Sequence, residues 1–168
     1  MYRPSAIKRH DESLKRFQKI FNNTEPLDII MNEWAQTSKL NDGEIVYKDQ
    51  RIIFDWEWRE DWNTQPNECK FHYPTLGQFE RKFRPKTQIE LSIQCDRNER
   101  CFIAAWHTDF GPPKTVKRKT DYKEKEFGEM RETDKFKIYS YTQINKFKHA
   151  LKYAFEHKLR NYKCFEVE

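Results

Sequence analysis

The stretch Arg51-Ile52-Ile53-Phe54-Asp55-Trp56-Glu57-Trp58-Arg59 decides how this chain folds. Read as a strand, its period of two sets Phe54, Trp56 and Trp58 on one face. Ile53, Asp55, Glu57 and Arg59 fall on the other. The first face is an aromatic wall that needs a core to cover it. The second carries two acids one step apart, which could hold a metal ion, receive a cation or pair with neighbouring Lys and Arg. The residues alone leave these three readings open.

Working outward, Glu44-Ile45-Val46-Tyr47-Lys48 precedes this strand across a two-residue polar joint, Asp49-Gln50, and the pair predicts a hairpin. Downstream, Gln88 to Cys95 alternates strictly, with Ile89, Leu91 and Ile93 set against Glu90, Ser92 and Gln94. Asp96 to Arg100 connects it to Cys101-Phe102-Ile103-Ala104-Ala105-Trp106-His107, which is apolar on both faces and therefore central or helix-covered. Its partner is expected to expose one side, and Cys95 and Cys101 to oppose each other across this second hairpin. The alternating lysines of Lys135 to Tyr139 predict an edge strand.

Helical spacing flanks these strands. Ile7, Leu14, Phe17, Ile20 and Phe21 form a stripe completed by His10, and Asn22-Asn23 ends it. Thr24 as a cap, with Leu27, Ile30, Met31 and Trp34, predicts a second helix and so an N-terminal helical hairpin. Leu76, Phe79 and Phe83 suggest a short helix closed by Pro85. Ser140 followed by Gln143 resembles a capping box opening an amphipathic C-terminal helix through Ile144, Phe147, Leu151, Ala154, Phe155 and Leu159. Residues 112–131 are rich in charge and poor in apolar anchors, and read as a flexible basic excursion. With no repeat and no linker, the expectation is one mixed α/β (α+β) domain over residues 1–168.

Composition agrees. Only 36% of the residues are hydrophobic, but 15% are aromatic, so Phe, Tyr and Trp supply the core volume that aliphatics lack. The formal charge of +5 favours encounter with a polyanion, although 32 basic residues face 27 acidic ones. Four scattered cysteines without zinc spacing read as thiols of a reducing compartment. No apolar run reaches membrane-spanning length, and the first nine residues lack an apolar targeting core. The expected location is intracellular and cytoplasmic, with nuclear residence open. Isolated glycines exclude a phosphate-cradling loop or a dinucleotide fingerprint.

Two chemistries compete. In the first, Asp55, Glu57 and Glu90 are catalytic acids and metal ligands for Mg or Mn, which takes one or two carboxylates and completes its shell with water and phosphate oxygens. The order of helices, acidic strand and later Glu90-bearing strand resembles the restriction-endonuclease-like (PD-(D/E)xK) nucleases. That resemblance implies a first acid at Asp55, a second at Glu90, and a lysine where Ser92 stands. The literal Glu-x-Lys spelling occurs instead at Glu80-Arg81-Lys82, where a helix would keep those side chains off one face. Set against this, acids in so charged a chain pair readily across a sheet with Lys or Arg.

In the second chemistry, basic clusters contact phosphates. They are Arg81, Lys82, Arg84 and Lys86; then Lys114, Lys117, Arg118 and Lys119; then Lys148, Lys152 and Lys158 on the last helix and its tail. Such contacts give affinity and salt dependence without choosing DNA over RNA. Trp62, in a polar loop, is the aromatic best placed for exposure, although capping the core is the commoner role for such a residue. His107, two residues before Asp109, has general-base potential if both side chains turn the same way. The sequence thus favours a protein that contacts nucleic acid or a nucleoprotein complex. A divalent-metal nuclease and a protein-interaction module stand as alternatives, and homodimerisation is open.

Overall fold

The computed structural model describes residues 4–25, 27–31, 40–120 and 123–167, with all their side chains except those of Pro4, Ala6, 117–120 and 123–127. Helix α1 spans Pro4–Phe21. It leads into β1 (Asp28–Met31), β2 (Gly43–Tyr47) and β3 (Gln50–Trp58). A short strand β4 (Leu76–Phe79) and two 3-10 turns (Glu80–Phe83 and Pro85–Thr87) precede β5 (Leu91–Cys95) and β6 (Cys101–Trp106). Then come β7 (Lys114–Thr120), β8 (Lys123–Thr133), β9 (Lys137–Ser140) and helix α2 (Ile144–Glu156). The domain is mixed α/β, with two sheets and with both helices packed on one face of the larger.

Six strands make the main sheet in the order β1-β2-β3-β5-β6-β9. Every neighbouring pair is antiparallel except β3 and β5, which run parallel with Asp55 beside Ser92 and Glu57 beside Gln94. Both expected hairpins form, β2–β3 and β5–β6, and β9 lies at the sheet's end. The capping residues act as expected: Gln143 Oε1 accepts the Ser140 amide at 3.0 Å where the chain turns into α2. A second, three-stranded sheet, β4-β8-β7, is built partly from the residues read as a basic excursion.

The two faces of the main sheet have separate cores. Leu14, Phe17 and Phe21 of α1 and Phe147, Leu151 and Phe155 of α2 close over Trp56, Ile93 and Phe102. Phe17 lies 4.7 Å from the Trp56 ring and 5.0 Å from Phe102. On the opposite face Trp62, Phe71, Leu76 and Phe110 pack against Ile103 and Ala105. Trp62 is therefore core, its indole donating to the Lys70 carbonyl at 2.8 Å. Because both faces are covered, β5 as well as β6 is buried throughout, and Ser92 and Gln94 are enclosed rather than exposed.

Several expectations are corrected. The second helix is absent where it is described, because residues 28–31 form β1; Pro26 and Trp34 lie outside the described residues. Asn22 explains the change. Its amide donates to the Ile29 carbonyl at 3.0 Å and its oxygen accepts the Ile29 amide at 2.7 Å, so one side chain mimics a neighbouring strand. Gln18 adds a bond to the same carbonyl. Gly43 then lets β1 and β2 close up, since a Cβ there would stand 2.5 Å from the Ile30 carbonyl oxygen. In α1 the buried stripe is Leu14, Phe17 and Phe21, while Ile7 and Ile20 are exposed.

The 76–83 stretch is a strand and a 3-10 turn, with Leu76 and Gln78 buried at period two. Cys95 pairs with Phe102, not Cys101, and the two sulfurs belong to opposite cores. Cys101 instead forms a disulfide with exposed Cys69, while Cys95 and Cys164 are buried free thiols. Among the described residues, no helix is long and apolar enough to cross a membrane.

Candidate functional site

Asp55 sits at the middle of β3, on the face covered by the second sheet, and is only 3% exposed. The Lys82 ammonium, delivered by the 3-10 turn after β4, donates to Asp55 Oδ1 at 2.9 Å. Gln78 Nε2, from β4 itself, donates to Asp55 Oδ2 at 3.1 Å. Two donors reach this carboxylate from one short segment of chain.

A second acid lies close by. Asp42 immediately precedes β2 and accepts the Trp56 backbone amide at 2.7 Å. Its Oδ2 stands 3.7 Å from Nε2 of His10, which comes from α1 on the other side of the sheet. Burial opposes ionisation of Asp42, yet the hydrogen bond and charge of His10 hold it below the ordinary carboxylate range. Burial likewise opposes charge on His10, and Asp42, Asp11 and the Trp56 carbonyl overcome it, raising its pKa to about 9. Asp55 goes the other way. Burial, and then repulsion from Asp42, outweigh the attraction of Lys82 and raise it to about 7. Lys82 is pushed down by burial but held above its usual value by Asp55 and Asp42. The group is a cluster in which charge is shared unevenly.

Glu57, one pleat along, is also raised, chiefly by burial. Its register partner Gln94 is 1% exposed; Arg59 donates to its oxygen at 3.3 Å, and its amide nitrogen has no partner among the described residues. Glu90 stands apart. It occupies the row of Ile53, accepts the Ile53 amide at 3.3 Å, and is engaged by Arg160 at 3.2 Å. Among the described residues, no three His, Cys, Asp or Glu side chains come together as a metal-holding group. A divalent ion beside Asp55 would thus draw on one or two of Asp42, Asp55 and Glu57, and on water or phosphate oxygens for the remainder.

The basic residues separate into different environments. Arg81, Arg84 and Lys86 are exposed on the same turns as Lys82, with the Arg81 guanidinium 4.9 Å from the Phe79 ring. Lys114 is exposed beside Glu132, while the side chains of Lys117, Arg118 and Lys119 lie outside the described ones. Lys152 is half-exposed near Glu156, and Lys158 is exposed just beyond α2. Lys148 is buried. Its ammonium donates to the Phe21 carbonyl at 2.7 Å, to the Thr24 carbonyl, and to Thr24 Oγ1 at 3.1 Å, capping the end of α1. That ammonium is not presented to phosphate. It borders a depression of about 300 Å³ lined by Thr24, Glu25, Asn145, His149 and Lys152, on the helical side of the sheet.

His107 is not paired with Asp109. Residues 107–109 form a 3-10 turn, and Asp109 accepts the Tyr162 amide at 2.7 Å. The imidazole instead meets Ser92, with Nε2 2.7 Å from its hydroxyl. Sequence reasoning missed Asp42 and Gln78 altogether. A signal for Asp42 existed: Gly43 pairs with Phe54 in the β2–β3 hairpin, which puts Asp42 level with Asp55.

No protein-family model, curated protein or solved structure matches the chain. Function must be argued from the side chains themselves.

Proposed function

We propose that this protein acts on the phosphodiester backbone of nucleic acid, with Asp55 as the acting carboxylate of a divalent-cation-dependent hydrolase. The observation that carries the reading is the cluster at Asp55: a buried acid 2.9 Å from Lys82, raised to about 7 by burial and by Asp42. An acid whose only task is a salt bridge is ordinarily lowered by its partner. A carboxylate pushed towards neutrality by burial, and further by a second acid, has much to gain from a cation, and shifts of this kind gather at working sites. Bound Mg or Mn would neutralise charge developing on the phosphate. Lys82 offers a positive contact beside the same carboxylates, and Arg81, Arg84 and Lys86 extend that charge outward along the turns, where a polyanion could follow it.

One observation favours a second reading, nucleic-acid binding without cleavage. Lys82 already occupies Asp55, which is nearly inaccessible, so the pair would then hold the basic turns in place. A single gel series separates the two. Labelled single- and double-stranded DNA and RNA are incubated with the protein in magnesium or manganese, and again in EDTA, scoring retardation and cleavage. Metal-dependent product supports hydrolysis. Retardation that survives EDTA without product supports binding alone, and neither signal at low salt contradicts both.

A further inference from the structure

One imidazole ties down both ends of the segment that delivers Lys82. At the β4 end, Gln78 Nε2 donates to Asp55 and also to Ser92 Oγ at 3.3 Å, while its oxygen accepts the Phe79 amide at 3.1 Å. That last bond fixes which end of the carboxamide is nitrogen. Ser92 Oγ therefore accepts from Gln78, and the acceptor in reach of its own proton among the described residues is His107 Nε2, 2.7 Å away. The imidazole is then protonated at Nδ1, a buried atom with no partner among the described residues. At the turn end, Phe83 stacks on the same ring, with centroids 4.2 Å apart. Arg131 of β8 braces this turn from outside, bonding Glu80 at 2.5 and 3.0 Å with its guanidinium 5.0 Å from the Phe83 ring.

We propose that His107 is the positioning residue of the Asp55 site: by accepting the Ser92 hydroxyl and stacking on Phe83, it fixes residues 78–83 so that Gln78 and Lys82 both meet Asp55. This rests on the reading of Asp55 as the acting carboxylate. The charged groups acting on the ring, Lys82 and Arg131, both oppose a second proton, and burial opposes it more strongly still. A neutral ring is what the relay requires, because an imidazolium would donate to Ser92 and leave its hydroxyl proton without an acceptor among the described residues. His107 touches no reacting group in this arrangement. It works through Ser92 and Phe83.

Two variants dissect the role. His107→Phe keeps the stacking ring and removes the acceptor, and Ser92→Ala breaks the relay one bond nearer Asp55. Nitrogen-15 NMR reads the Lys82 ammonium, assigned with Lys82→Ala, together with the His107 ring nitrogens. The wild type is expected to show a slowly exchanging Lys82 signal and a His107 proton on Nδ1. Either variant should lose the Lys82 signal while the Trp56 and Trp106 indole signals stay in place. In cleavage assays, kcat should fall about 10- to 100-fold at nearly constant KM. A wild type lacking the Lys82 signal, a proton on Nε2, or folded variants that keep the signal would each overturn the proposal. If the wild type cleaves nothing, the hydrolase reading fails, while the NMR result still decides what His107 positions.

Discussion

Lys82 Nζ and Asp55 Oδ1 lie 2.9 Å apart, although 27 residues separate them and neither the strand nor the turn alone brings them together. The second sheet does so. Strand β4, paired along β8, carries the chain across the polar face of β3 and releases it into the 3-10 turn within a lysine side chain's reach of Asp55.

The pH dependence of stability follows from this cluster. Asp55 is an acid raised from 3.8 to about 7, so the folded state holds its proton longer than the unfolded chain. Its contribution is therefore greatest at low pH and is lost as pH rises from about 4 to about 7. His10 is a base raised from 6.5 to about 9; its contribution is full below 6.5 and is lost as pH rises through 9. The upper bounds are about 4 and about 3 kcal/mol respectively. Urea unfolding across pH 4–9 should flatten over its lower half in Asp55→Asn and over its upper half in His10→Gln.

Lys148 should prove structural. Replacing it with Met strands the carbonyls of Phe21 and Thr24, at an expected cost of about 2–3 kcal/mol. Affinity for nucleic acid should not change. Lys152→Ala, at an exposed pair, should cost less than about 1 kcal/mol. Denaturant titration and a binding isotherm on both variants check the contrast.

The exposed turn residues should carry salt dependence. Arg84→Ala with Lys86→Ala is expected to weaken duplex binding for every sequence alike, and to reduce the salt slope by up to about 0.9 per lost phosphate contact. Fluorescence anisotropy over a salt series measures it. A slope unchanged in the double variant would remove these turns from the interface.

The disulfide gives a fourth test. Cys69 and Cys101 enclose 32 residues of sequence separation, for which chain entropy gives about 3–4 kcal/mol of stabilisation. Alkylation of the unfolded, unreduced chain should label only Cys95 and Cys164. Reduction should lower the thermal midpoint.

How much of this was legible beforehand depended on whether a residue's fate was set locally. The strict alternation of Ile89, Leu91 and Ile93 predicted a strand, and the two-faced apolar run from Cys101 to Trp106 predicted a covered one, because burial period is written into neighbouring residues. Residues 28–31 misled because Asn22 and Gln18 capture the Ile29 backbone, a tertiary bond that outweighs helical spacing. Gln78 read as part of a short helix because nothing in 74–86 announces that β8 will pair with it. The parallel crossover from β3 to β5 was equally silent, and with it the meeting of Asp55, Ser92 and His107. Glu90 was drawn into the candidate set as the acid on the polar face of the strand that follows Asp55's, whereas its partners are Arg160 and the Ile53 amide.

The central claim is that Asp55 acts on phosphodiester bonds, and single-turnover cleavage by Asp55→Asn tests it most directly. The wild type in manganese should release product from labelled nucleic acid and stop in EDTA. Asp55→Asn, shown to be folded by its near-UV circular dichroism, should still retard the same nucleic acid but release at least about 100-fold less product. Equal cleavage by the folded variant, or none by the wild type, would contradict the account.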